Sequence, residues 1–596
     1  MLNAFYVFRY AGNAINLLWS TSKTLTITIC AVTISNGLLP AVVAYVGKLI
    51  VDSVILATKT QSPIDSEITI KYVIIEAFVL MMFGASQKLT NVCQSLLRVQ
   101  LGQKVNVLIL EKALTLELQH FEDSEFYDKM TQARTQASSR PLALITKIFG
   151  LCQSTLTLIT FGGLLLQFSL IAVIILIIAT IPSFIAETRF SEHAFRLFRW
   201  RSPETRQQHY LETLIAREDH AKEVKLFRLG DMLLNRYKEI FNRLYEEDKN
   251  LTIKKGIWSY ILGLLSTTAF YGAYVWMILE TIQGVISFGE MTMFLIVFRQ
   301  GQSTFASALS SIGGMYEDNL YLANLYEFLN LPIKVKTGVI SKGTMDYGIK
   351  FEDVSFQYPG NPNPVLKNIN LQLLPGEKLA IVGENGSGKT TLIKLLTKLY
   401  SPTSGRILLD GIDLNDWNIE ILHKRIGVIF QNFVQFQFTV GENIGAGDVD
   451  RMNDEILWNE AAEKGLSKTF IEQMKDGFHT QLGKWFKGGQ ELSGGQWQKI
   501  ALSRAFMRSN ADILVLDEPT SAMDAEAEMN IFNHFRNLTQ NKMVVLISHR
   551  FSTVRMADKI IVMSDGKIIE SGSHKDLIHL NGRYAHLFEL QAAGYK

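Results

Sequence analysis

At 596 residues the chain far exceeds the roughly 100–200 residues of a typical domain, so two or more folding units are expected. Its 59 Lys and Arg nearly balance 57 Asp and Glu, and a formal net charge of +2 points to neither nucleic acid nor another polyanion as partner. Cys30, Cys93 and Cys152 stand far apart in apolar surroundings and match neither a zinc spacing nor a disulfide framework, so buried, inert thiols are expected.

Residues 1–310 hold long apolar stretches, whereas 345–596 read as a soluble α/β domain. Asn3, Arg9, Asn13 and Asn16 interrupt the first apolar residues, which is not the pattern of a cleaved signal peptide. A helix needs ~20 mostly apolar residues to cross a bilayer core. Candidates lie at 24–50, 71–95, 144–166, 168–188, 257–281 and 286–310. The third and fourth are nearly continuous from Leu156 to Ile181, so a tight turn is predicted at Gln167-Phe168-Ser169. One unbroken helix there would overshoot the membrane. Six spans are therefore predicted.

The segments between the spans decide orientation. Segments 96–143 and 189–256 carry many bases, among them Arg98, Lys104, Lys112, Arg201, Lys222 and Arg228. Segment 57–70 has only Lys59, and the connections at 167–169 and 282–285 have none. Excess Lys and Arg marks the cytoplasmic side, which places both termini and both long segments there. At 1.5 Å per residue, each leg of such a helical arm projects ~25 Å or more. Lys48 and Asp52, four apart, are expected to pair on one helix face. Glu76, Glu280 and Arg299 are candidates to line a cavity, against the plainer readings of snorkelling or inter-helix pairing.

In the soluble half, the apolar run Leu379–Val382 feeds into Gly383-Glu384-Asn385-Gly386-Ser387-Gly388-Lys389-Thr390, followed by the apolar-periodic Leu392, Ile393, Leu395 and Leu396. Strand, glycine loop and helix in this order form a phosphate cradle. Glycines turn backbone N–H groups inward, Lys389 reaches the β and γ phosphates, and the Thr390 hydroxyl suits Mg²⁺. Ile513–Leu516 is a buried-strand run ending in Asp517 and Glu518. Asp517 suits the metal's surroundings, and Glu518 is placed to polarise an attacking water. Leu492-Ser493-Gly494-Gly495-Gln496 opens another helix and offers a second anion-binding N-terminus. One triphosphate cannot easily use both cradles of one domain, so a head-to-tail dimer is expected, with Ser493 of one copy facing the γ phosphate on the other. Val544–Ser548 is a strand ending at His549, a γ-phosphate sensor in this company.

On these residues the chain resembles the ATP-binding cassette (ABC) transporter family over its whole length, in the exporter order with the membrane domain first. The resemblance implies a nucleotide cradle from Gly383 to Thr391, a metal-contacting Q-loop residue Gln431, and a signature at 492–496. It also implies a catalytic Glu518, a D-loop Ser521-Ala-Met-Asp524 touching the nucleotide, a switch His549, and an adenine-stacking Tyr358. Metal contacts are then Thr390, Gln431 and Asp517, with Gln431 and His549 assisting catalysis. By position, Phe121–Tyr127 and Ala221–Phe227 match the family's coupling helices. The chain departs from many relatives at Gly483-Lys-Trp-Phe-Lys-Gly-Gly489 and at Trp497-Gln-Lys, a variant similar to bacterial exporters of lantibiotic-type peptides. The usual charged contact with the partner's coupling helices is then in doubt, and an aromatic one can replace it.

The expected fold is an all-α six-helix transmembrane domain (1–330), a linker (331–348) and an α/β P-loop ATPase domain of the ABC type (349–596). Function follows as ATP-driven export of a peptide or amphipathic molecule by alternating access of a homodimer, with ATP and Mg²⁺, in a bacterial cytoplasmic membrane. The partners are a second copy, the cargo and the bilayer, and not nucleic acid. A lipid flippase and a non-transporting ATP-gated regulator remain as alternatives. The spans exclude a soluble DNA-repair ATPase, and no leading Cys/His domain for leader-peptide cleavage is expected.

Overall fold

The computed structural model describes residues 9–123, 140–179, 201–331, 347–519 and 541–593, with positions 126, 130, 181, 182, 185, 189, 190 and 539. The chain divides into two units: Met1–Leu116 with Ser124–Pro332, and Glu117–Asp123 with Ile333–Lys596.

The first unit is helical. Its described helices are α1 (Ala11–Thr21), α2 (Lys23–Thr60) and α3 (Pro63–Leu114), then, beyond the short α4 (Leu118–Glu122) of the second unit, α5 (Arg140–Leu166), α6 (Leu170–Ala179), α7 (Ser202–Ala216), α8 (Glu218–Leu226), α9 (Gly230–Ile282) and α10 (Phe288–Leu329). Among the described residues, α2, α3, α5 and α9 are long and apolar enough to cross a membrane. The fourth expected span is described as the apolar α6, and part of its range lies outside the described residues. The sixth coincides with the start of α10, which falls outside that group of four because Arg299, Gln300, Gln302, Ser303 and Thr304 lower its mean hydropathy. The tight turn is present: α5 ends at Leu166 and the Ser169 amide donates to the Leu165 carbonyl at 3.0 Å.

With 52 and 53 residues, α3 and α9 each run about 80 Å, far beyond the ~30 Å of a hydrocarbon core. They continue past their apolar windows into the charged arms. Leu97, Leu101, Val105 and Ile109 recur every four residues on α3 and bury one stripe against Leu144 and Ile145 of α5 and Leu322, Leu325 and Phe328 of α10. Ile74, Phe78 and Met81, nearer the start of α3, are exposed, as a lipid-facing surface requires.

Two expectations need correcting. Lys48 and Asp52 do not pair with each other. The Lys48 ammonium binds Glu290 at 3.0 Å, while the Asp52 carboxylate accepts from the Gly289 amide (3.0 Å) and the Ser287 hydroxyl (3.1 Å). The free amides at the start of α10 are better partners for a carboxylate than a flexible lysine one turn away. Gly289 permits the approach, since a Cβ there would lie 2.5 Å from the Asp52 carboxyl carbon. The cysteines also differ: Cys93 is buried, but Cys30 and Cys152 are exposed. In a membrane domain apolar surroundings include the outward face.

Asp318 is fully buried and holds both Arg140 (3.2 Å) and Lys147 (2.7 Å). Replacing Asp318 with Ala leaves the Lys147 ammonium without this partner and should cost about 3 kcal/mol. The check is thermal unfolding of the detergent-solubilised protein, where the variant should melt several degrees lower.

The second unit carries two sheets. An antiparallel one orders its strands β2-β1-β4-β5, from β1 (Ile349–Phe356), β2 (Leu366–Leu373), β4 (Ser404–Leu409) and β5 (Ile412–Asp413). The other orders β10-β9-β3-β8-β7-β6, from β3 (Lys378–Gly383), β6 (Ile426–Ile429), β7 (Ile513–Asp517), β8 (Met543–Ile547), β9 (Lys559–Ser564) and β10 (Lys567–Gly572). Strands β9, β3, β8, β7 and β6 run parallel. Residues of β7 and β8 are buried on both faces, which explains why they read as unbroken apolar runs. Trp417, Leu392, Ile393, Ile381 and Val515 join one core between the sheets. A second core of Val440, Ile444, Trp458, Leu482, Trp497 and Ile500 supports the helix Gly494–Phe506.

Candidate functional site

In a parallel sheet, ligands gather at the carboxyl ends of the strands. Four adjacent strands here deliver chemistry to that one edge. β3 ends in the glycine loop, β8 is followed by His549, β7 ends at Asp517 with Glu518 next, and β6 is followed by Gln431.

The loop is held open by backbone geometry. Gly383, Gly386 and Gly388 have φ of 154°, 81° and 104°. A Cβ on Gly383 would collide with the Met563 carbonyl, and one on Gly388 would lie 2.6 Å from Leu366 Cδ2. The Lys389 ammonium folds back onto the Gly383 and Glu384 carbonyls at 2.7 and 2.8 Å. Burial pushes its pKa down, against the pull of Glu518 and Asp517. Ser387 is 4% exposed, and its hydroxyl has no hydrogen-bond partner among the described residues. A buried cation beside an unsatisfied donor is a setting that phosphate oxygens satisfy, so the residues present fit a nucleotide. The Glu384 carboxylate pairs with Arg583, Asn385 is exposed, and Thr391 Oγ1 lies 3.1 Å from the Tyr358 hydroxyl. Tyr358 is half-buried just past β1, with the Lys394 ammonium 5.3 Å from its ring centroid.

The Thr390 hydroxyl donates to Asp517 Oδ2 at 3.2 Å. Burial pushes the Asp517 carboxyl up to about 6, and the neighbouring Glu518 charge adds to this. Thr390 and Lys389 pull the other way, and a divalent cation beside this buried carboxyl would favour its ionised form further. Glu518 stands in the left-handed backbone region at φ 50°, a strained conformation for a non-glycine residue. Its amide donates to the Ile547 carbonyl at 3.0 Å. One carboxylate oxygen lies 2.9 Å from His549 Nε2, and the other accepts from the Gln431 side-chain amide at 3.0 Å. Burial, then Lys389, lowers the His549 pKa, against the pull of the Glu518 carboxylate.

Sequence reasoning gave Gln498 no role. It is 2% exposed on the helix Gly494–Phe506, and its amide donates to the Glu518 main-chain oxygen at 3.1 Å, fixing the strained residue in place. The available signal was a polar residue at an inward helical position, between Trp497 and Ile500. Ser493 caps that helix in a reciprocal pair with Gln496, at 3.3 Å to the Gln496 amide and 3.0 Å back. Ser493 and Gly494 are exposed, and Gly495 and Gln496 partly so. Asp524 and the D-loop lie outside the described residues. In the divergent stretch, Trp485 and Phe486 are exposed, at 76% and 55%, whereas Trp497 is buried. Of the segments matched to coupling helices, Phe121–Tyr127 overlaps the short helix Leu118–Glu122 only at its start, and its positions 124, 125 and 127 lie outside the described residues. Ala221–Phe227 largely coincides with the short helix Glu218–Leu226. In the second unit Glu122 binds Lys394 at 3.1 Å and accepts from the Tyr400 hydroxyl.

Apolar helices long enough to span a bilayer, in one chain with this strand-edge site, define a membrane-embedded P-loop ATPase. Residues 366–521 match the family model described as ABC transporter. The chain is 30% identical over 579 residues to the subtilin transport ATP-binding protein SpaT of Bacillus subtilis, covering 96% of this chain and 92% of that one. It is 30% identical over 505 residues to the nisin transport ATP-binding protein NisT of Lactococcus lactis subsp. lactis, 82% of each. An ATP-dependent lipid A-core flippase of Methylobacillus flagellatus is 33% identical over 371 residues, 62% of this chain and 61% of that one. In fold, the ATP-bound structure of a bacterial Atm1-family ABC exporter matches with a TM-score of 0.80 over 98% of both chains, at 22% identity. The chain belongs to the ABC transporter family, and it is an integral membrane protein that binds and hydrolyses ATP to drive transport.

Proposed function

We propose that two copies of this chain form an exporter in a bacterial cytoplasmic membrane and move a peptide or amphipathic cargo outward by alternating access. The carrying observation is the convergence of Lys389, Thr390, Asp517, Glu518, Gln431 and His549 on one strand edge, while the signature helix presents its exposed N-terminus. Lys389 and the loop amides bind the β and γ phosphates, Tyr358 stacks on adenine, and Thr390, Asp517 and Gln431 hold Mg²⁺. Mg²⁺ supplies neutralisation of phosphate charge. Glu518 accepts the proton of the attacking water, His549 and Gln431 orient its carboxylate, and Gln498 positions its backbone. Ser493 and the glycines after it contact the γ phosphate on the twin protomer, with Asp524 beside them. ATP then favours the closed pair, since only that state gives it contacts from both copies.

The cargo class rests on the relatives named for subtilin and nisin transport, one matched along 96% of this chain. Relatives named as lipid A-core flippases, matched over a shorter part, favour lipid as the second reading. Proteoliposomes loaded with fluorescent probes separate the two. ATP should drive an amphipathic peptide across the membrane; movement of a labelled lipid without the peptide would replace the first reading with the second.

A further inference from the structure

Helices α2, α3, α5 and α10 line an open cavity of about 550 Å³ within the membrane domain. That volume admits one or two peptide side chains and not a folded peptide. Its wall is polar for a membrane interior, with Asn36, Glu76, Gln153, Thr157, Gln300 and Ser307 facing the same space. Among the described lining residues none is Lys or Arg. Lys147, one turn before the lining Gly150, is committed to Asp318 at 2.7 Å, and Arg299, beside Gln300, does not line the cavity.

Two residues of this wall, Asn36 and Thr157, have committed their donors elsewhere. Asn36 is 2% exposed, and its amide donates to the Thr90 hydroxyl at 3.1 Å, which fixes the orientation of the group. Its Oδ1 is left with no partner among the described residues. Pro40, on the same helix, has no N–H to give the Asn36 main-chain carbonyl its helical bond. The Thr157 hydroxyl spends its proton on the Gly37 carbonyl at 3.0 Å. A buried acceptor without a donor is costly, and an intramembrane carboxylate facing a cavity requires a counter-charge.

We propose that this cavity is a cargo subsite for a cationic, donor-rich group, the ammonium or guanidinium of an amphipathic peptide, with Glu76 as its counter-ion and Asn36 as an orienting acceptor. A phosphorylated lipid headgroup is disfavoured in the same space, because its charge would meet Glu76 and find no base. The assignment rests on the export reading above and narrows its cargo.

The test uses the full chain in zwitterionic liposomes, with ATPase stimulation and transport read together. The probes are an amphipathic peptide with lysines on its polar face, the same peptide with glutamates in their place, and a phosphorylated anionic lipid. The lysine peptide should stimulate, and Glu76→Gln should raise its half-stimulating concentration about tenfold or more. Gln300→Lys, a second variant from another helix, should do the same by placing a cation in the cavity. Equal stimulation by the glutamate peptide or the anionic lipid overturns the proposal. So does a lysine peptide that is transported and stimulates identically in both variants, in which case peptide export stands and only the subsite falls. If no peptide is transported, the export reading falls and takes the subsite with it.

Discussion

Replacing Glu518 with Gln should lower steady ATP turnover at least a hundredfold while leaving ATP affinity within a few-fold of the native value. The substitution keeps the size of the side chain and one acceptor oxygen for His549, 2.9 Å away, while its new NH2 replaces the oxygen to which Gln431 donates at 3.0 Å, so the Gln431 amide must turn over to accept. What it removes is the base that takes the proton of the attacking water, a contribution of about 10²–10⁴ in rate. The strained backbone at φ 50° is held by the amide bond to Ile547 and the Gln498 contact, neither of which involves the exchanged atoms. Phosphate release and nucleotide binding, measured on the same preparation, separate the two effects. Near-normal turnover would remove Glu518 from the catalytic role.

Replacing Lys389 with Ala should act on the other quantity and weaken ATP binding about a hundredfold or more. A buried ammonium contacting two phosphates is charge-assisted twice, and such contacts contribute about 1.5–3 kcal/mol each. The loop should survive the change, because its shape is set by glycines at positive φ and not by the lysine, whose bonds to Gly383 and Glu384 only occupy the place of the phosphates. Fluorescence titration with a nucleotide analogue reads the affinity, and an unchanged unfolding temperature excludes collapse of the loop.

These residues were legible in the sequence because what they require is local. Gly383 to Thr390 needs a buried strand before it, glycines at fixed spacing and a helix after it, all within some twenty positions. Ile513–Asp517 announces itself as a run buried on both faces that stops at two carboxylates. Gln498 was not legible, since its function depends on tertiary packing that brings it beside Glu518, twenty residues away. The Lys48–Asp52 expectation failed for a related reason. Counting four residues along one helix ignores a neighbour, and the capped start of α10 offered Asp52 free donors. Cys30 and Cys152 show that hydropathy cannot separate inside from outside where the solvent is lipid. Glu76 was read as a cavity candidate together with Glu280 and Arg299. Packing distinguishes them: Glu76 lines the cavity, whereas Glu280 accepts from the indole of Trp276 at 3.2 Å on its own helix.

In the proposed dimer, each nucleotide is enclosed by the glycine loop of one copy and the Ser493 helix of the other. Differently tagged chains, purified as mixed dimers in the Glu518→Gln background, test this by counting trapped ATP. When one chain carries Lys389→Ala and its partner Ser493→Arg, both defects fall on the same composite site, so one intact site should trap ATP. When a single chain carries both changes beside an otherwise intact partner, each site has one defect, and trapping should be lost. The opposite pattern, with ATP trapped only beside the unaltered chain, would show that each chain builds its site alone.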